Sequence, residues 1–162
     1  MPIQEAEFQV FIDAVQHYFK QTCGIQPEFQ PPYILDQPLP IREFIGSILV
    51  SGDYRGTVHF SADAPLLMDL LKQLGDPRRD STALADAIGE VANTIAGNFR
   101  RDFGSRFVIA PPRVRRRTDG GASAFVPDAD STTYVVPLTF NGRDALLMVE
   151  MARARGAMRG AA

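Results

Sequence analysis

From Thr82 to about Phe103 the chain carries one unbroken helical period, and no other stretch restricts the fold as much. At about 100° per residue, Leu84, Ile88, Val91, Ala92, Ile95 and Phe99 gather on one face, which must be core. Asp86, Glu90, Asn93 and Gly97 all fall within roughly 40° of the pole opposite Ile88, so they face solvent or a partner. Ala, Lys, Glu or Arg would cost least at such outer positions. An interior Asn costs some tenths of a kcal/mol and an interior Gly roughly 1 kcal/mol relative to Ala. Two poor helix formers aligned on the outer face need a reason beyond the helix itself.

The rest of the chain supplies elements to pack against that helix. Phe8, Phe11, Ile12, Val15, Tyr18 and Phe19 recur at helical spacing between Gln4 and Thr22, and Cys23-Gly24 provides a stop. Gln26 to Pro40 holds five prolines and reads as an extended connector with at most a short edge strand. Phe44 to Val50 and Gly56 to Phe60 form a β-hairpin around the turn Ser51 to Arg55. Asp63 is a cap for a short helix with Pro65 in its first turn, running to Leu74 and Gly75. Asp76 to Asp80 breaks it, and Ser81 or Thr82 is the expected cap of the long helix.

Arg106 to Ala110 reads as a strand, and Arg113 to Ser131 as a long exposed loop with a short strand near Phe125. Thr132 to Phe140 and Ala145 to Met151 make a second hairpin through Asn141-Gly142, with Pro137 marking an edge position or a bulge. Residues 1–152 are expected to form a single domain, and the Ala-, Gly- and Arg-rich remainder a disordered tail. This order predicts an α+β fold, helices packed on a mainly antiparallel sheet, with a hint of two similar halves.

Composition narrows the function classes. At 162 residues and 45% hydrophobic content the chain buries an ordinary core, and its net charge of -2 gives no global attraction to nucleic acid or anionic membrane. The lone cysteine, Cys23, leaves no intrachain disulfide and no cysteine cluster for zinc. His17 and His59 have no carboxylate or thiol neighbours at ligand spacing, so both read as structural. No leader pattern opens the sequence and no apolar run reaches the ~18 residues that span a bilayer, so a cytoplasmic protein is expected.

A bare Glu-x-x-Asn arises by chance in ordinary chains. The longer string LADAIGEVANTIAGNFRRDFG, Leu84 to Gly104, resembles the signature helix of the CheX/CheC/FliY family of chemotaxis phosphatases. Asp86, Glu90 and Asn93 match the three positions of that signature, and Gly97-Asn98 matches the companion Gly-Asn of the CheX branch. SGDYRGTVHFSAD, Ser51 to Asp63, is similar to the family's hairpin before its second helix, and FKQTCGIQP, Phe19 to Pro27, to the end of its first. The proline that the signature places further on comes earlier here, at Pro111-Pro112. Glu90 is the sole Glu with Asn three residues on, so the resemblance is to the CheX type, with one site per chain.

The resemblance implies a CheC-like pseudo-two-fold layout, a homodimer, and hydrolysis of the aspartyl phosphate of a CheY-like receiver domain. Asn93 would orient the attacking water, because a carboxamide both accepts and donates hydrogen bonds. Glu90 would clamp a lysine of the receiver. Gly97 would let two backbones approach, and Asp86 would orient Glu90 or complement the helix N-terminus. Asn98 belongs to the partner-facing set by its motif, or has a structural role, capping or fixing a neighbouring loop. The chain needs no bound cofactor of its own; Mg²⁺ would come with the receiver. Arg113, Arg115, Arg116 and Arg117 read as a solvated loop. They lack interleaved aromatics, which counts against nucleic-acid binding. Arg100 and Arg101 flank the motif face. The alternative function is a non-catalytic module that binds a phosphorylated receiver.

Overall fold

The computed structural model describes residues 5–24, 26–117, 124–127 and 130–154, with the side chains of residues 5–7 left aside. The elements run α1 (Glu5–Cys23), β1 (Glu28–Phe29), β2 (Tyr33–Ile34), β3 (Leu39–Pro40), β4 (Phe44–Gly52), β5 (Tyr54–Ala62), α2 (Ala64–Gln73) and α3 (Ser81–Phe103). They continue with β6 (Phe107–Ile109), β7 (Arg113–Arg116), β8 (Ala124–Phe125), β9 (Thr133–Phe140) and β10 (Arg143–Arg153). An 8-stranded antiparallel sheet has the order β1-β9-β10-β5-β4-β6, with β2 also on β9 and β7 also on β4. β3 and β8 form a separate ribbon.

This order contains the two halves that the sequence only hinted at. β5 and β10 pair antiparallel at the centre, Val58 opposite Val149, and each is flanked by its own hairpin partner, β4 or β9. The short strands cross over: β1 and β2 of the first half pair with β9, while β6 and β7 of the second pair with β4. Helices α1 and α3 pack on each other. Exchanging the halves preserves every one of these pairings.

Strand alternation decides which face the helices cover. Phe44, Ile48 and Val50 of β4, Val58 and Phe60 of β5, Val136 and Leu138 of β9, and Leu147 and Val149 of β10 bury against the helices. The intervening residues Ile45, Val135, Leu146 and Met148 form a second cluster with Leu35 and Ile41, packed against Leu39 and Phe125 of the ribbon. α3 sits closest to the sheet at Gly46, where an added Cβ would lie 2.7 Å from the Ile88 carbonyl oxygen. A side chain there would lift the helix off β4.

Several expectations hold in detail. α1 ends on Gly24 at φ 68, whose N–H donates to Lys20 O at 3.0 Å. Asn141 and Gly142 both take positive φ, as a tight hairpin turn requires. Pro137 is tolerated because the outer side of β9 meets only two-residue strands, and Gln30 N–H donates to its carbonyl there.

Others need correction. The cap of α3 is Asp80, not Ser81 or Thr82; its Oδ1 accepts from Ala83 N–H at 2.9 Å. Asp63 does stand at the N-cap of α2, but its side chain turns away to accept from Glu43 N–H at 2.8 Å. The proline-rich connector supplies three two-residue strands rather than one at most. Arg113 to Arg116 is an edge strand on β4 and not a loop, and β10 runs on to Arg153. Arg153 and Ala154, expected to open the disordered tail, are instead ordered, the first closing β10 opposite Tyr54 and the second donating its N–H to Asp53 O at 2.8 Å; residues 155–162 of that tail lie outside the described residues.

His59 shows what the ribbon-covered face does to a titratable group. Its Nδ1 shares a 2.7 Å hydrogen bond with Ser47 Oγ, and Phe125 meets its ring edge-on at 5.1 Å. Burial, and after it the charge of Arg115, lowers its pKa from 6.5 to about 4. The folded state then refuses a proton that the unfolded chain accepts, so the contribution is complete above pH 6.5 and is lost as pH falls towards 4. Between pH 7 and pH 5 this amounts to about 2 kcal/mol. Urea melts at both pH values should show that loss in the wild type and little of it in His59→Gln; equal pH slopes would contradict the assignment.

Candidate functional site

The outer stripe of α3 is held by an unusually complete inner face. Ten residues, from Ala83 to Phe99, are buried against the sheet and the other two helices. Pro112 and Val114 lie over Gly89, where an added Cβ would be 3.6 and 3.1 Å from them. That contact packs the middle of the helix from the β7 side.

Asp86 and Glu90 are exposed, while Asn93, Gly97 and Asn98 are half-buried. The four stripe residues cover about 16 Å along the helix at its usual rise. Glu90 Oε1 accepts a hydrogen bond from Thr94 Oγ1 at 3.4 Å. Among the described residues nothing hydrogen-bonds the Asn93 carboxamide, which leaves its donor and acceptor available to an outside group. Asn98 turns inward and its Nδ2 donates to the Ala14 carbonyl of α1 at 3.3 Å, which ties the two helices together.

Asp86 meets Arg78 of the α2–α3 turn, with 3.8 Å between Oδ2 and Nη1. Arg78 is itself clamped by Asp76, through Nη2 at 2.8 Å and Nε at 3.1 Å, and these bonds hold the Asp76 carboxyl well below the usual carboxylate range. Tyr18 of α1 stands close enough to feel the charge of Glu90. Its hydroxyl is pushed above the ordinary phenol range by burial first and the nearby Cys23 next, against a lowering bond from Thr22, with Glu90 adding to the rise. Thr94, Arg78 and Tyr18 were not legible as site residues, because each joins the stripe through tertiary placement or an unremarkable residue type.

The remaining candidates lie elsewhere. His59 is on the opposite face of the sheet, and Cys23 is a half-buried free thiol whose pKa burial raises. Arg100 and Arg101 are exposed in the last turn of α3. Two members of the exposed arginine run are tied to the fold. Arg116 bonds Glu43 at 2.8 Å and Ser81 Oγ at 3.2 Å and covers the Phe44 ring, while Arg117 donates to Ile41 O at 3.0 Å. Among the described residues no His, Cys, Asp or Glu cluster fit for a metal ion occurs, and no helix is long and apolar enough to cross a membrane.

Gly97 lies in open space: an added Cβ would meet nothing within 4 Å beyond its own helix. Gly97→Ala should therefore stabilise the isolated protein by roughly 0.4 to 1 kcal/mol. Thermal melts that show a loss instead would mean that Gly97 is packed.

A helix seated on an antiparallel sheet and presenting Glu90 and Asn93 on its outer stripe defines the class: an α+β protein with helices packed on one face of the sheet. The sequence model described as chemotaxis phosphatase CheX matches residues 44–139, and the chain belongs to that family. Comparison with the curated proteins gives no match. Among solved structures, a CheC-like superfamily protein from Shewanella sp. PV-4 is similar with TM-score 0.78 and 17% identity, over 93% of this chain and 99% of that one. Chemotaxis protein CheX from Desulfovibrio desulfuricans gives 0.76 and 21%, over 92% and 99%. CheX from Borrelia burgdorferi, in a complex with CheY, BeF3 and Mg²⁺, gives 0.73 and 19%, over 91% and 98%. At these identities the likeness shows the fold.

Proposed function

We propose that this protein is a phosphatase that hydrolyses the aspartyl phosphate of a CheY-like receiver domain and so terminates a two-component signal in the cytoplasm. The observation that carries the reading is the pairing of Glu90 and Asn93 on one outward stripe of a helix whose inner face is buried along most of its length. A phosphorylated receiver carries its acyl phosphate with its own Mg²⁺ and lysine, so little covalent chemistry is left for the second protein to supply. What remains is the placing of a water in line with the P–O bond, and positioning alone accounts for large rate effects.

In this reading Asn93 accepts a hydrogen from the water and leaves its lone pair directed at phosphorus. Glu90, repelled by the phosphoryl group, pairs with the receiver's lysine and so sets the distance between the two surfaces. Gly97 leaves the approach open: Gly97→Leu should lower activity on the phosphorylated receiver while the fold persists. Asp86 borders the same contact, whereas Asn98, turned onto α1, braces the helix that presents it. The active form would be a homodimer, which sedimentation analysis tests.

Titration of a receiver with and without beryllofluoride, a mimic of the phosphoryl group, tests the docking part of this reading. The activated receiver should bind at least about tenfold more tightly, equivalent to 1.4 kcal/mol. Equal affinity for both forms across the receivers of the host would count against it. Tight binding of the activated form with no turnover would instead identify a non-catalytic module.

A further inference from the structure

We infer that Thr94 is a positioning residue: its hydroxyl fixes the Glu90 carboxylate over the helical turn that carries Asn93. The inference rests on the docking role proposed for Glu90. Glu90 is exposed, and a free glutamate on a helix surface samples many rotamers. Freezing it on encounter costs affinity that a preset side chain would save.

The structure supplies the presetting group. Thr94 is one helical turn beyond Glu90, is half-buried, and has a β-branched side chain with few accessible χ1 states. A threonine inside a helix commonly bonds the carbonyl four residues back. Here Oγ1 donates to the carboxylate of that residue, Glu90 Oε1, at 3.4 Å. The hydrogen bond thereby holds the carboxylate along α3, over the turn that carries the carboxamide that is to orient water. Both working groups then meet the receiver from one turn of one rigid element.

Thr94→Val removes the donor and keeps the shape, whereas Thr94→Ser keeps the donor. Receiver dephosphorylation by the Val variant should show KM raised about 3- to 10-fold, the range of one hydrogen bond to a charged group, with kcat within about twofold of wild type. The Ser variant should behave as wild type. In a Glu90→Ala background Thr94→Val should add no further change, because the group it positions is gone.

Equal effects of Val and Ser, or a Val penalty that persists without Glu90, would overturn the inference. If the wild-type protein binds no beryllofluoride-activated receiver, the docking reading fails separately, and NMR couplings of the Glu90 side chain decide the positioning. One dominant rotamer in wild type and Thr94→Ser, averaged in Thr94→Val, supports it; the same averaging in all three overturns it.

Discussion

Asn93→Ala is expected to slow dephosphorylation of a bound receiver by at least about 100-fold, the scale of losing one positioned catalytic group, with affinity for a stable phosphoryl mimic nearly unchanged. The carboxamide is half-buried on the outer stripe and holds up nothing else within the described residues. The helix should survive, since Ala is the better helix former and the neighbouring Ala92 and Ile95 remain fully buried. Single-turnover decay at saturating protein isolates the chemical step. Turnover near that of wild type in a folded variant would remove Asn93 from catalysis, and a loss confined to affinity would make it a docking residue.

Glu90→Lys is expected to abolish the complex. A like-charge contact with the receiver's lysine at a close interface costs several kcal/mol, which corresponds to binding weaker by at least about 100-fold. Glu90→Ala should be intermediate and should weaken both binding and turnover. Neither change should move the melting temperature much, because an exposed helix site normally shifts stability by under ~0.5 kcal/mol. Calorimetric titration against a beryllofluoride-activated receiver, beside thermal melts of both variants, reads the two effects separately. A Glu90→Lys protein that still binds would show that its charge faces no lysine. One that unfolds would make Glu90 part of the scaffold.

The long helix, both hairpins and the outward stripe were legible from the sequence because each is written in local periodicity. The helical period of Leu84 to Phe99 and the alternation along Thr133 to Phe140 do not depend on distant residues. What the sequence concealed is what the tertiary fold alone specifies. Arg113 to Arg116 carries a single apolar residue, Val114, and an edge strand of arginines has the composition of a loop; it becomes a strand because β4 offers free backbone groups and Val114 seats over Gly89. The same holds for the two-residue strands of the proline-rich connector, too short to show a period of two.

The site divides in the same way. Asp86, Glu90, Asn93 and Gly97 shared a stripe by helical arithmetic alone, and the burial of their neighbours agrees with it. Asn98 points at α1 because it stands off the stripe on the α1 side, next to a backbone carbonyl that no sequence pattern marks. Tyr18 lies on another helix, and Arg78, paired with Asp76, reaches Asp86 from the preceding turn.

The rate at which a phosphorylated receiver loses its phosphate, measured with this protein present at well below the receiver's concentration, separates a phosphatase from a binding module. Decay should be faster than the receiver's own, with many receivers turned over per protein molecule and the acceleration lost in Asn93→Ala. Decay no faster than the receiver alone, for every receiver of the host that binds the protein, would contradict the phosphatase reading.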